Sequence, residues 1–89
     1  MASRTVAVRN KRGLHARASA KFVTLAAELD AEVEVEKDGT KVTGTSIMGL
    51  MMLGAAMGDT ITISAVGEGA DEAVDRLAEL VEARFHEDA

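Results

Sequence analysis

Eighty-nine residues with a formal charge of −5, 47% of them hydrophobic and only two aromatic (Phe22 and Phe85), suffice for one domain, residues 1–89, and one modest aliphatic core. Without a cysteine the chain has neither a disulfide framework nor a thiolate metal site, so packing alone must hold it, as expected of a cytoplasmic protein. The acidic balance argues against nucleic-acid binding, yet residues 1–27 hold six of the ten basic residues and no acid, a region suited to a phosphoryl group or an acidic partner.

Charge and threonine fall within the first few residues, so the segment Met1 to Arg9 is expected to carry no secretory signal. Thr5 to Arg9 alternates with Val6 and Val8 on one side, the two-residue period of a half-buried first strand. Asn10-Lys11-Arg12-Gly13 reads as a loop. From Ala16 to Leu29, apolar Ala18, Phe22, Leu25, Ala26 and Leu29 recur at helical spacing and predict a first helix with one buried stripe. Glu32-Val33-Glu34-Val35-Glu36 then alternates cleanly, glutamates to water and valines to a core, which makes a second strand. Asp38-Gly39 signals a hairpin, because both central residues of the favoured turn need positive φ, and Lys41 to Thr43 therefore pairs back antiparallel as a third strand.

Thr45-Ser46 opens a second helix, Ile47 to Leu53, at which a Ser46 N-cap hydroxyl satisfying a backbone donor contributes ~1 kcal/mol. The apolar run from Ile47 to Met57 is too short for the ~20 residues that cross a bilayer. This helix is apolar almost all round. Leu50 and Leu53 are predicted to face the core, leaving Ile47, Met48, Met51 and Met52 towards solvent as a patch that repacks cheaply against partners; the plainer alternative is a loosely packed core helix. Gly54 and Gly58 end the helix, and the β-branched run Thr60 to Val66 supplies a fourth strand.

The last segment begins at Gly69 with the acids Asp71 and Glu72, places Ala70, Ala73, Val74, Leu77, Leu80 and Val81 at helical spacing, and carries Arg84 and His86 near its end, as the helix dipole favours. Glu72 and Arg76 are spaced as a stabilising i, i+4 pair. His86 is expected to be inert in a fraying polar C-terminus. The order βαββαβα predicts an open-faced two-layer α/β sandwich of α+β type, a four-stranded, mostly antiparallel sheet covered on one face by three helices.

Chemistry concentrates at Gly13-Leu14-His15-Ala16-Arg17, where the loop after the first strand becomes the first helix. An imidazole at that N-terminus faces unpaired backbone N–H groups and the positive end of the dipole, a ready site for phosphoryl oxygens. A neutral ring nitrogen is a competent nucleophile, and Arg17, one turn in, is placed to donate charge-assisted hydrogen bonds to the same oxygens. On spacing alone, His15 reads equally well as an ordinary surface histidine. Two histidines at opposite ends of the chain make no metal site, no cofactor is implied, and no paired acid or base stands near His15 in sequence to suggest turnover of a small substrate.

Taken with Ser46-Ile47-Met48-Gly49-Leu50, the His15 motif resembles the histidine-containing phosphocarrier (HPr) family of the bacterial phosphotransferase system, and the likeness in length, element order and motif spacing covers essentially the whole chain. The resemblance implies a carrier rather than an enzyme, one that accepts phosphate from phosphorylated enzyme I on Nδ1 of His15, with Arg17 as clamp, and donates it to enzyme IIA proteins. It further implies phosphorylation of Ser46 by an HPr kinase; a carrier that exposes one site to successive partners is expected to be a monomer, and Leu14, Ile47, Met48 and Met51 are expected to receive those partners. The family motif usually continues with proline where Ala18 stands, and Ala18 retains an N–H that proline lacks. The sugar-uptake and nitrogen-related branches both fit. The main rival is a regulatory module that docks partners according to its phosphorylation state; a small-ligand-binding sandwich or small phosphatase is a third reading.

Overall fold

A computed structural model describes residues 1–87. The strands are β1 (Ala2–Ala7), β2 (Glu32–Lys37), β3 (Thr40–Thr43) and β4 (Thr60–Val66); the helices are α1 (Ala16–Glu28), α2 (Ile47–Met52) and α3 (Ala70–Glu82), followed by a short turn at Arg84–His86. The sheet runs β1-β4-β2-β3, and every neighbouring pair is antiparallel.

Alternation works as the sequence predicts. Val33 and Val35 of β2 lie opposite Ala65 and Ile63 of β4, and all four are buried under the helices. The opposite face is open, with Glu34 beside Ser64 and Glu36 beside Thr62. Asp38 and Gly39 both take positive φ, 50° and 84°, as the hairpin between β2 and β3 requires. Ala18, Phe22 and Ala26 bury the stripe of α1, Leu50 and Leu53 that of α2, while α3 adds Ala78 to the predicted set and leaves Leu80 only half-buried.

Three expectations are corrected. The first strand begins at Ala2 and ends at Ala7, because pairing with β4 extends it beyond its apolar alternation: Ala2 lies opposite Ala65 and Ser3 opposite Ser64. Val8 nevertheless stays buried and backbone-bonded, donating to Asp59 O at 2.8 Å and accepting from Gly58 N–H at 2.8 Å. The predicted Glu72–Arg76 pair makes no ion pair among the described residues; the α3 acids that do pair are Asp75 and Glu82, which meet Arg4 of β1 at 3.4 and 3.5 Å. These contacts are exposed and of small energetic worth.

The third correction concerns the described residues after α3, which form a packed turn. α3 stops at Glu82, and Arg84, Phe85 and His86 take φ of 60°, 55° and 58°, three successive residues in the left-handed region. That conformation costs a non-glycine residue about 1–2 kcal/mol because Cβ approaches the following carbonyl oxygen. Burial of the Phe85 ring, fully removed from solvent, offsets it, and Lys21 Nζ of α1 holds the Phe85 carbonyl at 2.6 Å. Arg84 and His86 therefore lie in this turn, beyond the last turn of the helix.

Candidate phosphoryl-transfer site

The loop ahead of α1 is built to deliver His15. Gly13 takes φ 61°, a left-handed conformation suited to glycine, and its N–H bonds the Asn10 carbonyl at 3.2 Å. The Asn10 side chain is completely buried and donates from Nδ2 back to the Gly13 carbonyl at 2.8 Å, closing the loop on itself. Leu14 N–H then bonds Ala55 O at 3.0 Å, which ties the loop to the chain leaving α2.

His15 is the N-cap of α1 with extended backbone, φ −72° and ψ 179°. Its carbonyl accepts from Ser19 N–H at 2.9 Å, and its ring Nδ1 accepts from Arg17 N–H at 3.2 Å. A backbone amide can only donate, so Nδ1 is the bare ring nitrogen and faces the helix end. Among the described residues the N–H groups of Ala16 and Ala18 have no hydrogen-bond partner. Ala16 is exposed, so its amide is open to solvent, whereas Ala18 is fully buried and its amide adds only to the positive potential of this end.

The other ring nitrogen meets a residue that the sequence analysis missed. Glu87 Oε2 lies 2.6 Å from His15 Nε2, with the two side chains only 13% and 16% exposed, and Glu87 Oε1 accepts from Asn10 Nδ2 at 3.2 Å. Burial pushes the Glu87 carboxyl up, but hydrogen bonds from His15 and Asn10 and the charges of His15 and Lys21 outweigh it and hold it below the usual carboxylate range. The contact therefore adds stability above that ordinary range and loses it as pH falls through the depressed value. The signal that was available in the sequence was Phe85, one of two aromatics in the chain, whose burial draws the following residues inward.

Arg17 is exposed and makes no ion pair among the described residues, so its guanidinium stands available at the same helix end. Ser46 caps α2, its Oγ accepting from Gly49 N–H at 2.9 Å, as its position predicts. Ser46→Ala is expected to cost about 1 kcal/mol, measured by urea unfolding. Met48 and Met52 are 72% and 79% exposed, and Ile47 and Met51 flank them at the surface. Leu14 is corrected: only 4% exposed, it packs into the core with its carbonyl held by Ser19 Oγ at 3.1 Å, and it offers no docking surface.

Residues 2–83 match the family model described as the PTS HPr component phosphorylation site. The chain is 45% identical over 84 residues to the phosphocarrier protein NPr of Shewanella violacea, covering 94% of this chain and 92% of that one. It is 44% identical over 87 residues to the phosphocarrier protein HPr of Cupriavidus necator, covering 98% of each. A crystal structure of HPr from Thermoanaerobacter tengcongensis superposes with a TM-score of 0.94 at 42% identity over the full length of both. By its family match, its relatives and its fold, this chain belongs to the HPr family of phosphocarrier proteins of the phosphotransferase system.

Proposed function

We propose that the chain, as one domain over residues 1–89, relays a phosphoryl group from phosphorylated enzyme I to enzyme IIA proteins on Nδ1 of His15. The observation that carries this reading is the bare Nδ1 at the N-terminus of α1, beside amides without partners. The nitrogen lone pair attacks phosphorus while the bond to the donor breaks and its electron pair returns to the donor. The incoming oxygens meet the exposed Ala16 amide, the helix dipole and the Arg17 guanidinium, and transfer onward runs the same step in reverse.

Arg9, Lys11 and Arg12 are exposed around this end and favour encounter with acidic partner surfaces, while Ile47, Met48 and Met51 supply an adaptable apolar contact. The carrier acts in the cytoplasm as a monomer, without a cofactor, and exposes one site to successive partners. Because Ser46 heads α2, its phosphorylation by an HPr kinase would place charge at a helix N-terminus that tolerates it, on the same helix as the exposed methionines. This arrangement favours a second role as a docking module controlled by phosphorylation.

Incubation with phosphoenolpyruvate and a cognate enzyme I, read by intact mass, tests the relay. One acid-labile phosphoryl adduct is expected on the parent chain and none on His15→Ala. An unlabelled parent chain, with an enzyme I active on its own carrier, overturns the proposal.

A further inference from the structure

The strained turn after α3 spends left-handed backbone at Arg84, Phe85 and His86, and what it delivers is one carboxylate onto His15. Strain of this kind persists only where the surroundings over-determine it. Here three contacts from separate elements do so: the buried Phe85 ring, the Lys21 ammonium on the Phe85 carbonyl, and the buried Asn10 amide on Glu87 Oε1. Mere anchoring of the tail is already achieved by Phe85 and Lys21. The Glu87 contact is an addition aimed at the ring nitrogen that does not take the phosphoryl group.

Resting on the relay reading above, we infer that Glu87 is a positioning residue: it holds the His15 tautomer with the proton on Nε2 and opposes the positive charge that the ring acquires on phosphorylation. When the Nδ1–P bond forms and the P–donor bond breaks, the electron pair leaves with the donor and the Nε2 proton stays where it is. The product ring is then an imidazolium next to the Glu87 carboxylate, so a hydrogen bond from a neutral ring to a carboxylate becomes one between opposite charges. Glu87 thereby stabilises the phosphorylated carrier and, in the resting state, keeps the nucleophilic lone pair on Nδ1. A carboxylate orients metal-ligating and catalytic histidines by the same physics.

The test compares the parent chain with Glu87→Gln and Glu87→Ala, using ¹⁵N NMR of the His15 ring and the phosphoryl-exchange equilibrium with enzyme I. Glu87→Gln keeps an acceptor for Nε2–H but no charge: the tautomer is retained, and the equilibrium constant for carrier phosphorylation falls about fivefold. Glu87→Ala loses both, so the equilibrium falls at least as far and the bare-Nδ1 tautomer is depleted. Variants that are phosphorylated on His15 with parental equilibrium and parental tautomer overturn the role of Glu87 while leaving the relay intact. A parent chain that takes no phosphoryl group at all overturns both.

Discussion

Gly13→Ala is expected to lose about 3 kcal/mol of unfolding free energy, a drop in Tm of roughly 12–24 °C for a domain of this size. Two independent costs combine. The backbone at φ 61° charges any other residue about 1–2 kcal/mol. An added Cβ would also overlap the Ala55 carbonyl oxygen and come within 2.9 Å of Ala56 Cα, and these are backbone atoms that no side-chain rotation can move aside. The internal control is Gly39→Ala, where φ is 84° but nothing lies within 4 Å of the new atom, so only about 1–2 kcal/mol should be lost. Equal losses at the two positions, in paired urea titrations, would refute the close approach of the loop to the α2 exit. Because that approach also sets where His15 begins α1, Gly13→Ala should slow phosphorylation even at temperatures where it remains folded.

Phe85→Ala is expected to cost about 3 kcal/mol and to detach the tail. The ring is one of the largest fully buried side chains, and emptying such a site typically costs about 3–5 kcal/mol. The lower end applies because a terminal turn can peel away instead of leaving a sealed cavity. Without the ring the polar contacts of Lys21 and Asn10 are left alone against the strain of the left-handed backbone, and the Glu87–His15 contact opens with the turn. Urea unfolding measures the first effect, and faster amide exchange from Ala83 to Glu87 the second. A loss under about 1 kcal/mol with parental exchange would mean that α3 and Lys21 hold the tail without the ring.

Much of the architecture is written locally. Val33 and Val35 alternate with glutamates, Asp38-Gly39 has one comfortable conformation, and the α1 stripe repeats at 3.6 residues, so each of these elements could be read without its neighbours. The N-terminal half of β1 could not. As an edge strand it takes its order from β4, and Ala2-Ser3-Arg4 carries no pattern of its own. At the site, the placement of His15 and Arg17 at the start of α1 was legible, because the loop before the apolar stripe fixes where that helix begins. Asn10 and Glu87 were not, since a loop asparagine and a tail glutamate are ordinarily solvated, and only tertiary packing buries them. Nor does Arg84-Phe85-His86 contain the glycine or asparagine that usually marks left-handed backbone.

The contact between His15 and Glu87 spans 72 residues, so no local segment of the chain contains both partners. A nascent chain can assemble α1 and much of the sheet during translation, but its histidine meets no carboxylate until the stretch after α3 has been made. The surroundings of that one imidazole are therefore set only when the turn after α3 docks, so its ring reports on a long-range contact of the fold and not on α1 alone.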